Sequence, residues 1–288
     1  MTSLENLGPA RRGSSVVEMV RVLDEDSRLR ASLSQDSLEL ATAQALAPLM
    51  TVKPGRWSYE LDQSEQRGHL GLLVLEGLLA RHMSLGDLGS VEFIGPCALI
   101  RPWGRRRPFP HATEVRWEVL AEARLAVLDS DFALRVDAWP ELVGALLERA
   151  TERADSLLLH SALRQTVRVE DRLLLALWHF AGQWGEPTPE GRKLNVPKLT
   201  GAVLATIVGA RRQSVSKALG QLADRQAIRR FPDGCWELIG PPPQAARLET
   251  GKRASDHVQL LHDNIAPQRR GSPSGHSHHD LPASLQRR

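Results

Sequence analysis

Residues 199–222 read LTGAVLATIVGARRQSVSKALGQL and have the spacing of two short helices that meet at a sharp corner. The corner is predicted at Gly209, because glycine readily adopts the positive φ that ends a helix. Thr200 is predicted to cap the first helix by accepting a hydrogen bond from a backbone amide of its first turn. Apolar residues lie one helical turn apart on both sides of the corner, namely Leu204 with Val208, and Val215 with Leu219. The stretch is therefore a helix-turn-helix candidate.

The polar residues at the start of the second helix have the chemistry to contact DNA. In a helix-turn-helix, the N-terminal residues of the second helix meet base edges in the major groove. The side chains expected to face outward there are Arg212, Gln213, Ser216 and Lys217. The predicted partner is double-stranded DNA.

Positive charge is concentrated in the same part of the sequence. Residues 192–230 contain nine Lys and Arg residues and a single acidic residue, Asp224, whereas the rest of the chain contains 28 basic and 33 acidic residues. A basic segment on an otherwise acidic chain is the electrostatic pattern of a phosphate-binding module. A solvated basic surface is the alternative, but the coincidence with the helix-turn-helix spacing favours DNA binding.

The sequence after the second helix predicts a β-hairpin. Residues 227–239, AIRRFPDGCWELI, contain two short strand-like runs separated by the turn sequence PDG. Such a hairpin is the wing of a winged helix, and we expect Arg229 and Arg230 at its base to contact DNA phosphates. An ordinary hairpin that buries Trp236 is the alternative, and both interpretations can hold together.

The order of these segments resembles a known family. A β-rich half is followed by the helix-forming segment VEDRLLLALWHFAGQWG and then by LTGAVLATIVGARRQSVSKALGQLADRQAIRR. This order is similar to that of the Crp/Fnr transcription regulators, which are dimers with a sensor domain and a winged helix. The resemblance covers residues 169–238, and IVGARRQSVSKALGQL matches the family's turn and recognition helix.

The resemblance implies roles for individual residues. Arg212, Gln213 and Lys217 would read bases, and Arg211 and Ser214 would lie beside phosphates. Gln213 replaces the family's common acidic residue, which predicts a different operator, because glutamine pairs with adenine whereas a carboxylate accepts from cytosine. The full set of predicted DNA-binding residues is Thr200, Arg211, Arg212, Gln213, Ser214, Ser216, Lys217, Arg229 and Arg230.

The first half of the chain has the pattern of strands and turns that is typical of a β domain. Between residues 49 and 128, short apolar runs alternate with turn-forming Gly and Pro, which predicts a sandwich or barrel. The segment LLVLEGLLARHM resembles a strand and turn of the family's cyclic-nucleotide-binding jelly roll, with Gly77 at the turn, and RLAVLDSDF resembles its closing strand. The predicted fold class is α+β: a β jelly-roll sensor domain, a long dimerisation helix and a C-terminal winged helix-turn-helix domain.

The residues that bind a cyclic nucleotide in the family's jelly roll are not found at the corresponding positions of this sequence. The family's site uses a Gly-Glu pair for the ribose and an arginine for the phosphate, but here Pro102 falls near the glutamate position and Thr113 near the arginine position. We therefore do not expect cyclic AMP as the effector. Three adjacent arginines at residues 105–107 could form an anion site, although such a run is more often solvated. Trp103 is expected to pack at the mouth of the roll.

Residues 140–167 predict an amphipathic helix between the two halves, with Pro140 in its first turn. Its apolar and small residues recur every three or four positions and are predicted to form a parallel two-fold dimer seam: Leu142, Leu146, Ala150, Ala154, Leu157 or Leu158, and Ser161. Packing on its own domain alone is the alternative. A hinge is expected at residues 168–170, followed by a helix at 171–184 whose inward-facing residues are Leu174, Leu177 and Trp178.

Composition and motifs narrow the class of protein. No apolar run approaches the about 20 residues of a membrane-spanning helix, and the N-terminus lacks a signal-peptide pattern, so we expect a cytoplasmic protein. Two cysteines, Cys97 and Cys235, are too few for a disulfide framework. Nucleophile-elbow, zincin, P-loop and dinucleotide-binding motifs are missing from the sequence, so we do not expect an enzyme. The rival hypothesis is a β-barrel ligand-binding or enzymatic protein whose helix-turn-helix mediates protein interaction.

These inferences give a predicted organisation. The segments are a disordered N-terminus (1–15), a sensor domain (16–138), a dimerisation helix (139–167), a winged helix-turn-helix domain (168–240) and a disordered tail (241–288). Three tail histidines at 276, 278 and 279 could bind a metal, although a solvated tail is favoured. The expected partners are a palindromic DNA operator and a second copy of the chain, and no contact with a membrane is expected. The resemblance also allows RNA polymerase as a partner and a small molecule as an effector. No residue pattern in the sequence indicates a cofactor.

Overall fold

The computed structural model describes residues 17–103 and 113–243. The predictions for the N-terminal segment, for the arginine run at 105–107 and for the histidines of the tail fall outside these residues.

Antiparallel strands of the first half form the predicted jelly roll. The strands are β1 (Met19–Arg21), β2 (Leu46–Val52), β3 (Gly55–Trp57), β4 (Gly71–Leu85), β5 (Leu88–Ile94), β6 (Leu99–Ile100) and β7 (Thr113–Leu128). Their order is β1-β2-β7-β4-β5, with β3 also paired to β7 and β6 to β4. Two of the short apolar runs between residues 49 and 128, VRWEVL at 115–120 and RLAVL at 124–128, belong to one continuous strand, β7, because no Gly or Pro separates them. Apolar side chains fill the interior of the roll, among them Leu72, Val74, Leu79, Val119 and Leu125.

Gly77 lies within β4 rather than at a turn. Its φ is +93°, and the pairing of β4 with β7 changes register between Glu76 and Leu78. A Cβ atom at this position would lie 2.3 Å from the carbonyl oxygen of Glu122. The prediction of a turn is therefore wrong: Gly77 forms a β-bulge at which two long strands approach closely.

Short helices accompany the roll. They are α1 (Val22–Glu25), α2 (Ser27–Arg30), α3 (Gln35–Gln44) and α4 (Ser130–Arg135). The sequence patterns above do not predict α1 to α3, since helices of one to three turns are too short for a periodicity signal. Asp26 caps α2, because its Oδ1 accepts hydrogen bonds from the backbone amides of Arg28 and Leu29, both at 3.0 Å.

The long helix α5 (Pro140–Leu163) begins at Pro140, as predicted, and packs one face on the roll. Leu142 and Leu146 are buried in a core with residues of α1 to α4, and Arg149 Nη2 donates to Asp26 Oδ1 at 2.9 Å in a buried ion pair. Leu142 and Leu146 cannot contact a second subunit, so this part of the predicted seam is wrong.

An adjacent face of α5 remains exposed and carries the same three- and four-residue spacing. We call it the exposed stripe; its members are Val143, Leu147, Ala150, Ala154, Leu157, Leu158 and Ser161. Leu147 is 67% exposed and Leu158 is 68% exposed. Within the described residues, nothing covers these two large apolar side chains.

The second half consists of helices on a small sheet. Its helices are α6 (Val169–Trp184), α7 (Gly201–Val208) and α8 (Arg212–Asp224), and its strands are β8 (Glu186–Thr188), β9 (Gly191–Leu194), β10 (Ile228–Arg230) and β11 (Trp236–Ile239). The sheet order is β10-β11-β9-β8, and each pair is antiparallel. This is a winged helix-turn-helix fold.

The hinge and the inward face of α6 differ from the prediction. The chain between α5 and α6 comprises residues 164–168, and Glu170 lies inside α6 with its side chain buried, so the connection lies earlier in the chain than the predicted hinge at 168–170. Leu177 is buried as predicted, whereas Leu174 and Trp178 are only partly buried. The buried face of α6 is formed by Leu173, Ala176, Leu177, Phe180 and Ala181.

One apolar core joins the two halves. Leu78, Val91 and Phe93 on the outer face of the roll belong to the same cluster as the buried residues of α6, α7 and α8. All described residues belong to one compact unit, so packing marks no border at 138 or 167, and the domain boundaries stay predictions. No helix in the described ranges is both long and apolar enough to cross a membrane.

Two histidines pack where α5 meets α6. The rings of His160 and His179 are edge to face with centroids 4.9 Å apart, and both contact the ring of Phe180. Burial, reinforced by His179 and Arg164, lowers the pKa of His160 to about 4. Burial also lowers the pKa of His179. The folded protein therefore keeps this pair neutral at neutral pH.

We expect the free energy of unfolding to decrease as the pH falls from about 6.5 toward 4. Between these pH values the unfolded chain binds a proton at His160, whereas the folded protein does not. The free energy of unfolding at pH 4 should therefore be lower than that above pH 6.5 by up to about 3 kcal/mol. His160→Phe retains a ring at this position and should remove most of that loss. Thermal unfolding at pH 7 and pH 5 measures it, and an equal pH dependence in both proteins would contradict the assignment.

Candidate DNA-binding surface

The corner between α7 and α8 has the predicted local geometry. Gly209 ends α7 with φ +63° and ψ +46°, in the left-handed region that glycine adopts at low cost. Thr200 Oγ1 accepts a hydrogen bond from the Val203 amide at 3.3 Å, so the predicted cap is confirmed. Val208 and Val215 are buried on the two sides of the corner.

Two arginines bind the carbonyl groups at the end of α7. Arg164, which follows α5, donates from Nε to Ile207 O and from Nη2 to Thr206 O, each at 3.0 Å. Arg172 of α6 donates to Val208 O at 3.2 Å. Cations satisfy the free carbonyls of a helix C-terminus and interact favourably with its dipole. The linker after α5 is thus bonded directly to the helix-turn-helix corner, a connection for which the sequence carries no local signal.

The first turns of α8 present the predicted polar residues to solvent. Val215, Ala218 and Leu222 form the buried face of the helix. On the other side the following residues are exposed: Arg211, Arg212, Gln213, Ser214, Ser216 and Lys217. None of these six side chains forms a hydrogen bond or ion pair with a residue in the described ranges, and no side chain caps the first turn of α8.

Other basic residues of the positive segment are already paired with carboxylates. Lys198 Nζ lies 2.8 Å from Glu118 Oε1 of β7, Arg225 Nη2 lies 2.7 Å from Glu170 Oε2 of α6, and Arg229 Nη1 lies 2.7 Å from Glu237 Oε2 of β11. Arg211, Arg212 and Lys217 have no such partner among the described residues. Arg192, Lys193 and Arg230 on the small sheet also lack a carboxylate partner within the described ranges, but Arg192 donates to the carbonyl groups of Ala181 and Gly185, and the cations of Lys193 and Arg230 lie over the rings of Phe231 and Trp236. The positive charges of this segment that contact no other described group therefore lie at the N-terminal end of α8.

The predicted wing is present. β10 and β11 pair with Arg229 opposite Glu237 and Arg230 opposite Trp236. The Arg230 guanidinium lies 5.1 Å from the centroid of the Trp236 ring, and Trp236 is buried. The hairpin is thus both a wing and part of a small core, while Arg229 is held by its own strand partner.

The start of α7 lies against the roll. Thr200 and Lys198 line a small cavity of about 280 Å³ together with Glu118 and His82 of the roll. The hydrogen bond from Lys198 lowers the pKa of the Glu118 carboxyl, which keeps this ion pair charged. The Thr200 side chain therefore has a structural role at the contact between the two halves, and its predicted contact with DNA stays a prediction.

Aromatic side chains close one end of the roll interior. Four buried rings form a row in the order Trp117, Trp57, Tyr59 and Trp103, and the centroids of neighbouring rings in this row lie 6.2 Å apart. Trp103 also contacts the His69 ring at 4.8 Å. The packing role predicted for Trp103 is confirmed.

Comparisons with known proteins bear on the fold. No protein-family model and no curated protein sequence matches the chain. Among solved structures, it is similar to FixK2 from Bradyrhizobium japonicum, with a TM-score of 0.52 and 11% identity over 71% of this chain and 98% of FixK2. It is also similar to a cyclic nucleotide-binding domain containing protein from Listeria monocytogenes EGD-e, with a TM-score of 0.50 and 15% identity over 66% of this chain and 88% of that protein.

A further solved structure is TTHA1359, a transcriptional regulator of the CRP/FNR family from Thermus thermophilus, with a TM-score of 0.45 and 20% identity over 67% of this chain and 93% of TTHA1359. FixK2 and the Listeria protein match this chain across nearly their whole length. The predicted fold class, a jelly roll followed by a long helix and a winged helix-turn-helix, is therefore confirmed.

Proposed function

We propose that this chain is a sequence-specific DNA-binding transcription regulator of the Crp/Fnr type, which acts as a homodimer. The observation that carries the proposal is the exposed, unpaired polar face at the N-terminal end of α8. In a helix-turn-helix this part of the second helix enters the major groove. The same proposal places the protein in the cytoplasm, where DNA is accessible to it.

Base reading is assigned to three residues of α8. Arg212 and Gln213 lie in its first turn, and Lys217 follows one turn later on the same exposed face. Because their side chains have no partner within the described residues, DNA binding breaks no ion pair of theirs. Arginine reads guanine by a bidentate contact, and glutamine reads adenine in the same way. We therefore propose guanine- and adenine-containing half-sites.

Phosphate contacts are assigned to the edges of the same surface. The uncapped first turn of α8 offers free backbone amides beside Arg211 and Ser214, which is the usual environment of a bound phosphate. Ser216 is exposed on the same helix. Arg229 and Arg230 would contact flanking phosphates, although Arg229 must then share its guanidinium with Glu237.

Dimerisation is assigned to the exposed stripe of α5. A parallel pair of such helices would bury the stripe against its copy, and Ala150 and Ala154 would allow close approach. Two-fold symmetry then presents two α8 helices to half-sites about 34 Å apart, the spacing found in helix-turn-helix dimers. This geometry requires a palindromic operator.

Control by the roll is assigned to the contacts between the two halves. Arg164 links the end of α5 to the end of α7, and Lys198 links the start of α7 to Glu118 of the roll. A shift of α5 against the roll would therefore be transmitted to the corner that carries α8. An effector drives such a shift only if it binds the two arrangements with unequal affinity. Neither cyclic AMP nor an enzymatic reaction is part of the proposal.

The salt dependence of DNA binding tests the proposal. Log K for a labelled duplex should fall linearly with log salt concentration, with a slope of about −0.9 per neutralised phosphate. Arg211→Ala should make this slope shallower by about 1, whereas Lys53→Ala, at an exposed site on the roll, should leave it unchanged. A protein that ignores duplex DNA at low salt would instead favour a ligand-binding or enzymatic β-barrel whose helix-turn-helix binds protein.

A further inference from the structure

We propose that the junction of the roll with α5 and α6 is a binding site for an uncharged, ring-containing small molecule. A cavity of about 860 Å³ lies there. Its walls are the β5–β6 turn of the roll, α5 between Arg149 and His160, α6 between His179 and Trp184, and residues 195–197 ahead of α7. Small-molecule sites usually occupy about 300–1,000 Å³ and often lie between domains.

The cavity lies outside the interior of the roll. Successive side chains of a strand point to opposite faces of the sheet. Leu79 points into the roll interior, whereas Leu78 and Phe93 point outward and line the cavity. Ile94, at the end of β5, packs with the interior residues and also lines the cavity. A molecule bound here would therefore lie mainly against the face of the sheet that contacts α6.

Each charged side chain that lines the cavity has an oppositely charged partner within the protein, and Glu92 has two, Arg153 and Arg81, the latter at 2.8 Å. Arg153 binds Glu92 through two hydrogen bonds, of which the one from Nη2 to Oε2 measures 2.9 Å. Arg149 is paired with Asp26, and Arg28 with Glu152. An ionic ligand would have to disrupt one of these pairs or enter without a counter-charge, and burying an unpaired charge is costly. The site therefore favours an uncharged ligand.

The remaining polar groups and the aromatic wall indicate the ligand's shape. His160 Nε2 is buried and has no hydrogen-bond partner in the described part of the chain. Close to it, Ser156 Oγ lies 3.3 Å from His179 Nε2 and accepts a hydrogen bond from Gln183 Nε2 at 3.0 Å. The rings of Phe180 and Trp184 stack at 13° with centroids 5.6 Å apart. A flat ring with one hydroxyl or amine group suits this combination.

The location gives such a ligand a regulatory role, and this part of the inference rests on the proposed function. An occupant would contact α5, which carries the exposed stripe, and α6 with residues 195–197, which lead into α7. Because these contacts would change if α5 moved relative to α6, the occupant would bind the two arrangements of the halves with different affinities. Such a difference in affinity is what an effector requires.

The test uses 2-naphthol as an uncharged probe and 2-naphthoate as its charged analogue, with ligand-observed NMR titration of the full chain. Gly182 lines the cavity, and a Cβ atom there would meet no atom within 4 Å, so Gly182→Leu places a bulky side chain at the cavity wall of α6 without a backbone clash. Gly144→Leu is the matched control, because this glycine of α5 is equally open but lies outside the cavity. Gly182→Ala fills little of the space and should behave as the wild type.

We expect the wild type, Gly144→Leu and Gly182→Ala to bind 2-naphthol more tightly than 2-naphthoate, and Gly182→Leu to bind 2-naphthol at least tenfold more weakly. Failure of the wild type to bind 2-naphthol, or equal binding by Gly182→Leu, would overturn the site. The salt titration with duplex DNA is run separately on the free protein. DNA binding without probe binding would therefore refute the site alone, and probe binding without DNA binding would refute the proposed function alone.

Discussion

Replacing Leu147 and Leu158 together with glutamate is expected to convert a dimer into a monomer and to weaken operator binding by about 100-fold or more. Both side chains belong to the exposed stripe and are more than 60% exposed in the single chain. In a two-fold seam each glutamate would lie near its own copy, so that burial would bring like charges together. A monomer then loses the gain in effective concentration that the second half-site provides.

Light scattering measures the first effect, since the molar mass should fall from twice 31.9 kDa to 31.9 kDa. Leu159→Glu is the matched control, because Leu159 is an exposed leucine of α5 outside the stripe. This variant should remain a dimer. If the double variant keeps the mass of a dimer, the exposed stripe is not the seam.

Arg212→Ala is expected to weaken binding to the preferred operator by about 1–3 kcal/mol, which corresponds to about 5- to 150-fold, and to relax selection at one base pair. The guanidinium is exposed and unpaired within the described residues, so its removal leaves no carboxylate of the free protein without a partner. The loss therefore reports on the complex with DNA rather than on the fold.

Fluorescence anisotropy with the preferred duplex and with single-base variants of it measures the effect. Arg56→Ala is the control, because Arg56 is an exposed arginine of β3 on the roll and lies outside α8. It should change affinity little and leave selectivity intact. An equal loss for Arg212→Ala on all duplexes would make Arg212 a phosphate contact instead of a base-reading residue.

Local signals in the sequence were sufficient for the helix-turn-helix and its wing. The positive φ of Gly209, the cap formed by Thr200 and the burial of Val215 depend on neighbours within a few residues along the chain. The pairing of Arg229 with Glu237 was also accessible from the sequence, because the PDG turn sets a hairpin register that places them opposite each other. The exposed polar face of α8 follows from the same periodicity.

The sequence does not determine which of the two apolar faces of α5 packs on the roll. Leu142 with Leu146 and Val143 with Leu147 both have helical spacing, so periodicity alone cannot say which pair packs inward. The buried ion pair of Arg149 with Asp26 lies on the side of the first pair, and it joins residues 123 positions apart. A single sequence carries no signal for such a contact.

The coupling contacts between the two halves are equally non-local. Arg164 binds carbonyl groups 42 and 43 residues away, and Lys198 binds a carboxylate 80 residues away. At Gly77 the sequence does indicate an unusual backbone, but a bulge and a turn both require positive φ. Only the length and pairing of β4 and β7 distinguish them.

Selection from a pool of randomised duplexes tests the central claim most directly, namely that the N-terminal end of α8 reads DNA sequence. The wild-type protein should enrich a palindrome whose half-sites lie about 10–10.5 base pairs apart or at a multiple of that distance, and Arg212→Ala should lose the preference at one symmetric position. Enrichment of no sequence by the wild type at low ionic strength, with cell extract added to supply a missing effector, would contradict the account.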